Sequence, residues 1–216
     1  MSKLLLSKKG QDLIKLYSQM VAGGYTNEAT GADIKDQFAD FSSRYYKKPI
    51  KEILTKYQIK SILDYGCGGS DWTKAGFSEN NQSAKEFYNL NDCFHYEPST
   101  DIDERQKVDC VISFDVLEHV YIEDVQTVLN DIFSNAKKLV ILNIACYKAS
   151  AKLPNGENAH ITIREPFWWK AQLDNMALKY PKIYIQLLLS SGWMKTNGFP
   201  IYRGLEWSES DKFSTF

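Results

Sequence analysis

A chain of 216 residues with 26 Lys and Arg against 27 Asp and Glu has the length of one domain with a single substantial core, and almost no net charge. That balance argues against nucleic acid as a partner, since non-specific binding to a polyanion draws on many Lys and Arg at phosphates. No apolar run approaches the ~20 residues that span a bilayer, so no membrane partner is expected.

The opening Met-Ser-Lys-Leu-Leu-Leu-Ser-Lys-Lys is too short in apolar residues for a secretory h-region. Cys67, Cys93, Cys110 and Cys146 lie far apart with no Cys-x-x-Cys pair, which reads as reduced thiols rather than disulfides or a zinc site. A cytoplasmic protein without a metal is the expectation. Residues 3–20 place Leu6, Leu13, Ile14, Leu16, Tyr17 and Met20 at partly helical spacing, and Gly23-Gly24 ends that helix. Phe38, Phe41, Tyr45 and Tyr46 recur at three- and four-residue steps and predict a second helix within 25–48. Pro49 suits the first turn of a third, whose face is Ile50, Ile53, Leu54 and Tyr57. Lys47, Lys48 and Lys51 read as its solvated side or as a local basic patch. Residues 1–58 are thus expected to form a helical N-terminal cap, acting as a lid over a ligand or simply as packing.

The apolar run Ile59 to Leu63 ends in Asp64, followed by Gly66, Cys67, Gly68 and Gly69. This is a buried strand feeding a glycine-rich turn, where glycine permits positive φ or the close approach of a ligand. Ser70 or Asp71 would cap a brief helix, and Ser83-Ala-Lys-Glu86 has the capping-box pattern of another, running to Leu90. A second strand, 93–98, ends at Glu97. Residues 98–107 are too few for a crossover helix and a further parallel strand, so the sheet is expected to be trimmed on that side. A third strand begins at Val108 and ends at Asp115, with Val116-Leu-Glu-His119 beyond it.

Residues 121–137 give an amphipathic helix with Ile122, Val125, Val128, Leu129, Ile132 and Phe133 on one stripe. Its charges match the helix dipole, with Glu123 and Asp124 at the start and Lys137 and Lys138 at the end. Lys138 to Ala145 is a buried strand, so strand, helix and strand make a βαβ unit and the sheet is mostly parallel and three-layered. Asn155-Gly156 marks a turn, and His160 to Arg164 alternates as a strand does. Glu165-Pro166 opens a helix holding Trp168 and Trp169. Residues 182–189 and 199–207 then close the sheet as an antiparallel C-terminal hairpin.

Three segments carry a resemblance. Leu63-Asp-Tyr-Gly-Cys-Gly68, the strand ending in Glu97, and Phe114-Asp-Val-Leu-Glu-His119 together resemble the class I S-adenosylmethionine-dependent methyltransferases over roughly residues 50–145. With Leu153-Pro-Asn-Gly-Glu-Asn-Ala-His160 added, they resemble more narrowly a group of phage and bacterial methyltransferase-like proteins. The resemblance implies a Rossmann-like sheet and S-adenosyl-L-methionine as cofactor. It would place Asp64, Gly66, Cys67 and Gly68 at the methionine end, Glu97 at the ribose hydroxyls, and Asp115 and Val116 at the adenine and methyl-donor side. Two features depart from the family pattern. Ser70 stands where a third glycine is usual, and no additional strand supplies an adenine-side acid, a role left to Asp101 or Asp103 unless both are loop carboxylates.

Read as residues alone, these positions keep alternatives open. Asp64 would also serve as a turn cap, and Glu97 would hold the ribose of a nicotinamide cofactor equally well, although Gly-x-Gly-x-x-Gly is missing. His119 is either catalytic or a cap of the following helix, and Glu118 is a first-turn helix acid. His160 follows a glycine-containing loop beside Asn155, Glu157 and Asn158; it is either a general base or a hydrogen-bonded structural histidine. Trp168 and Trp169 point in different directions on a helix, one toward core and one available to wall a pocket. The expected activity is methyl transfer to a small-molecule acceptor or a group on a carrier. The alternatives are a non-catalytic S-adenosylmethionine-binding protein and, after it, an NAD-type oxidoreductase. One domain is expected over 1–216: the cap to 58, a cofactor-binding core over 59–147, and a substrate loop with closing strands over 148–216.

Overall fold

The computed structural model describes residues 4–27, 30–34, 41–192, 195–196, 201–203 and 206–207. Helix α1 (Lys8–Gly23) starts where the Ser7 side chain accepts the Gly10 N–H and stops at Gly24, whose φ is 78°. Strands β1 (Tyr25–Thr26) and β2 (Asp33–Ile34) form a small antiparallel pair. Helices α2 (Phe41–Tyr45) and α3 (Lys47–Lys56) lead into β3 (Ser61–Tyr65). After a long irregular link come α4 (Ala84–Phe87), β4 (Asp92–Glu97), β5 (Ile102–Asp103) and β6 (Val108–Phe114). The chain continues through α5 (Val125–Asn135), β7 (Ala136–Ala145), α6 (Pro166–Lys179) and β8 (Tyr184–Gly192). Short strands β9 (Lys195–Thr196), β10 (Ile201–Arg203) and β11 (Glu206–Trp207) complete it.

Strands β4, β3, β6, β7 and β8 lie side by side in that order and run parallel. Strand β5 adds antiparallel to β4 at one edge, and β10 with β11 adds antiparallel at the other. Both faces of the central strands are covered, which is why β3, β6 and β7 read as largely apolar runs rather than alternating ones. On one face Leu63, Val111, Val140 and Leu142 pack under α5 (Val125, Leu129, Ile132, Phe133) and α6 (Trp169, Leu173). On the other, Ile62, Cys110, Ile112, Leu139 and Ile141 pack under α3 (Ile50, Leu54), Trp72 and the α4 region (Ala84, Tyr88). The molecule is a mixed α/β fold in three layers around a mostly parallel sheet.

Several elements differ from the sequence expectation. The residues at 98–107 hold no crossover helix and no parallel strand, but add a two-residue antiparallel strand, because antiparallel pairing needs only a tight turn (Pro98–Thr100). No helix follows the glycine turn: residues 70–83 are turns and bends, so there is no helix for a third glycine to bring close to the sheet. The capping box forms as read, Ser83 accepting from Glu86 N while Glu86 accepts from Ser83 N (2.8 Å), but α4 is a single turn. Helix α5 starts at Val125 rather than 121 and ends at Asn135, leaving Ile122 47 % exposed and Lys137 and Lys138 in β7. Residues 160–164 join no strand. Thr162 instead ties itself to the turn before α5, its N–H donating to Glu118 O (2.8 Å) and its hydroxyl to Val120 O (2.6 Å). Strand β8 is parallel to β7 across α6, a second βαβ crossover, and only then does β10 turn back. Within the stretch 25–48, expected to hold a second helix, β1 and β2 come first and α2 begins at Phe41; Phe38, Trp193, Met194 and residues 197–200 lie outside the described residues. All four cysteines are free thiols. Among the described residues no helix is long and apolar enough to cross a membrane.

Candidate functional site

From β3 the chain builds β4 and β5 on one side, then crosses to β6 on the other side of β3. The connections leaving β3 and β6 therefore part in opposite directions, and a crevice opens beyond the carboxyl ends of those strands, the place where open α/β sheets hold ligands. A cavity of about 940 Å³ lies there, at the upper end of the roughly 300–1,000 Å³ usual for small-molecule sites. Helix α1 walls it with Leu13, Ile14 and Tyr17, and the loop over 147–160 walls it with Tyr147, Ala149, Ala159 and His160.

Both walls are pinned. Asp124, buried at the head of α5, accepts from Ser7 N and Ser7 Oγ (2.7 Å each), and Ser18 Oγ donates to Ser99 O (2.7 Å). Asp124 therefore stands at the N-cap of α5 without capping it. In the loop, Asn158 closes a small hairpin by donating to Ala149 O (2.8 Å) and accepting from Ala149 N (3.0 Å), with Gly156 at φ 87° supplying the turn.

Asp64, Gly66, Cys67, Gly68, Glu97, Asp115, Val116, His119 and His160 all line this one cavity. Gly66 sits at φ 79°, and a Cβ there would lie 2.3 Å from Val116 Cγ2. Its N–H and that of Cys67 both donate to Tyr96 O (2.7 and 3.1 Å), locking the turn to β4. Gly68, at φ 54°, donates its N–H to Glu97 Oε2 (3.0 Å). Glu97 Oε1 accepts from Ser99 N (3.0 Å) and Ser99 Oγ (2.6 Å). Three of the carboxylate's about four lone-pair sites are thus taken. One remains for a ligand hydroxyl, with Ser99 Oγ beside it as an exchangeable donor. Asp64 accepts from Trp72 Nε1 (2.7 Å). Cys67 is buried, and desolvation together with the nearby Asp64 and Glu97 carboxylates pushes its thiol well up, so it stays protonated.

At the tip of β6, Asp115 adopts φ 55°. Its N–H donates to Asn143 O (3.0 Å) and its Oδ1 accepts from Asn143 Nδ2 (2.8 Å); Ser190 Oγ in turn donates to Asn143 Oδ1 (3.1 Å). Asn143 and Ser190 also face the cavity. Neither was singled out from sequence, because Asn143 is a single polar residue in an apolar run and Ser190 one of two serines ending β8, and only the alignment of β6, β7 and β8 makes the relay.

The two histidines meet edge to face, ring centroids 4.8 Å apart and planes at 88°. His119 Nδ1 lies 2.9 Å from Ala159 O and also meets the Tyr17 hydroxyl; His160 Nδ1 meets Tyr147 O (2.5 Å). A carbonyl oxygen only accepts, so Nδ1 carries the proton in both rings and each Nε2 presents a lone pair. Burial, and then the charge of His160, pulls the His119 pKa down to about 3, and burial lowers that of His160 as well. Both are neutral at pH 7.

Glu118, read as a first-turn helix acid, is instead fully buried in the turn Leu117–His119. Its Oε1 accepts from Ala145 N (2.9 Å), while Oε2 has no hydrogen-bond partner. Desolvation, reinforced by the Asp115 charge, pushes this carboxyl well above the usual carboxylate range. The sequence does carry a signal for this: Glu118 stands between Leu117 and His119 in a segment that is apolar on both sides, poor surroundings for a solvated acid.

Other candidates fall elsewhere. Asp101 and Asp103 do not line the cavity, and Asp103 is engaged with Arg105. Trp169 is core, and Trp168 packs against it at 4.9 Å between centroids, so neither walls the cavity. Lys47 pairs with Glu79 (3.2 Å) and Lys51 lies over the Phe87 ring (4.1 Å), as a helix surface would. No protein-family model, curated protein or solved structure matches this chain.

Proposed function

We propose that the protein is a methyltransferase with a Rossmann-like sheet that uses S-adenosyl-L-methionine and a small-molecule acceptor. One observation carries this reading: Asp64, Glu97 and Asp115, with Gly66 and Gly68 at positive φ, converge from three neighbouring strand ends on a single cavity. The donor set fits that cofactor. Its amino and hydroxyl groups are donors, and this site offers carboxylate acceptors. A pyrophosphate-bearing dinucleotide fits it poorly, since Lys148 is the one Lys or Arg among the described residues lining the cavity and the carboxylates would repel it. Asp64 and the glycine turn would hold the methionine end, Glu97 with Ser99 the ribose, and Asp115 and Val116 the adenine side.

When bound, the cofactor supplies a methyl carbon already activated by a sulfonium leaving group. The protein's contribution is then to align the acceptor and exclude water, which α1 and the 147–160 loop are placed to do. A neutral Nε2 on His160 or His119 is available to take a proton from an acceptor oxygen or nitrogen. The volume accommodates a cofactor and a small acceptor together.

The test is calorimetric titration with S-adenosylhomocysteine, with NAD as comparison. Asp64→Asn and Glu97→Gln should each weaken S-adenosylhomocysteine binding by about 10- to 100-fold, the value of a hydrogen bond to a charged group, with circular dichroism showing that each variant keeps the fold. Unchanged affinity in both variants, or tighter binding of NAD, overturns the assignment. Cofactor binding without methyl incorporation into any small molecule of a metabolite extract would favour a binding protein over an enzyme.

A further inference from the structure

We propose that Glu118, His119 and His160 form a binding site for a zinc-type divalent transition-metal ion at the wall of the cavity. One ligand atom from each of the three lies within 4.8 Å of the others. Two imidazoles and a carboxylate make a set that suits zinc and its first-row neighbours and is a poor match for magnesium or calcium, which prefer oxygen alone. A tetrahedral zinc with Zn–N of about 2.0 Å holds its ligand atoms roughly 3.3 Å apart, so the cluster would close by small side-chain movements.

Three independent features point to an ion rather than to chance proximity. Glu118 Oε2 is completely buried and has no hydrogen-bond partner, an arrangement that proteins rarely leave uncompensated. Both histidines commit Nδ1 to a backbone carbonyl, Ala159 O and Tyr147 O. That is the outer-shell arrangement that fixes a metal-ligating imidazole and leaves Nε2 to coordinate. The support is also built from separate parts of the chain: Tyr17 on α1 donates to Ala159 O (3.1 Å), and Asn158 accepts from His160 N (3.1 Å). Three protein ligands leave a coordination position open, and His119 and His160 face the cavity, so that position would look into it.

The proposal does not depend on methyl transfer: an ion held by both Nε2 atoms would remove them as general bases, a role that alignment of the acceptor against a sulfonium does not require, and its test reads metal alone. The full-length protein, stripped with a chelator and dialysed, is titrated with Zn²⁺ by calorimetry and with Co²⁺ by visible absorption, using Mg²⁺ as control. One equivalent of Zn²⁺ should bind, Co²⁺ should give the intense visible bands of a low-symmetry four- or five-coordinate site, and Mg²⁺ should give no heat. His160→Ala and the isosteric Glu118→Gln should each lower Zn²⁺ affinity by more than about tenfold, the least that outer-shell losses alone cause. Circular dichroism would show that each variant keeps the fold. No Zn²⁺ binding by the parent, equal affinity in folded variants, or preference for Mg²⁺ overturns the site. Failure of the S-adenosylhomocysteine titration would leave this result standing, and the reverse holds too.

Discussion

Gly66 is the point at which the turn geometry is most exposed to a single atom. Alanine there meets two separate penalties. Its φ of 79° costs an L-residue about 1–2 kcal/mol. The added Cβ would lie 2.3 Å from Val116 Cγ2 and 3.1 Å from Cγ1, an overpacking worth about 1–3 kcal/mol. Gly66→Ala should therefore destabilise by about 2–5 kcal/mol in all. The two parts separate in a double-mutant cycle. Val116→Ala removes both offending methyls and leaves Val116 Cβ at 3.3 Å, a contact that a few tenths of an ångström would relax. The double variant should keep the dihedral cost and recover most of the steric one, giving a coupling of about 1–3 kcal/mol. Urea unfolding of the parent, both single variants and the double variant measures this, read from midpoints at constant slope. Additivity within about 0.5 kcal/mol, or a Gly66→Ala variant as stable as the parent, would refute the claim that Val116 and the glycine turn are fitted against each other.

Two further predictions concern the β4–β5 edge. The Arg105 side chain is 2 % exposed and donates to both oxygens of Asp103 (2.7 Å each) and to Asp131 (2.8 Å), which also accepts from Tyr65 OH (2.8 Å). Arg105→Ala leaves the half-buried Asp131 without its cation and should cost about 3–5 kcal/mol by urea unfolding; a loss within experimental error would mean that Asp131 is solvated. The Arg105 guanidinium also holds the Asp103 carboxyl below its ordinary value of 3.8. Between the lowered value and the ordinary one the native state binds fewer protons than the unfolded state, so this contribution is complete above the ordinary carboxylate range and is lost as pH falls through the lowered value. Unfolding midpoints measured across the acid range should fall less steeply in Asp103→Asn than in the parent, and parallel profiles would count against the assignment.

How much of this was legible depended on how local each cause is. The apolar runs of β3, β6 and β7, the βαβ unit around α5, and the stop at Gly24 all follow from neighbours along the chain. So does the reciprocal Ser83–Glu86 cap. Asp64, Glu97 and Asp115 were readable as acids at strand ends because a strand end is itself a local pattern. That they share one cavity follows once the strands are parallel and the order reverses beside β3. The tie of Asp124, at the head of α5, to Ser7, 117 residues earlier in the chain, was not readable. Nor was the failure of 160–164 to pair, since Thr162 takes its partners from Glu118 and Val120.

The residue whose meaning changed most is Glu118. Periodicity treats it as a solvated acid at the head of a helix. The packing of β7 against the turn after β6, with residues 160–162 laid across it, removes it from water and sets two neutral imidazoles beside it. Sequence alone thus determined the sheet's strands, their apolar faces and the acids at their ends, because hydrophobic periodicity and turn chemistry act over a few residues. Tertiary structure decided which polar atoms lost their water, because burial is a property of what other segments bring to the same place.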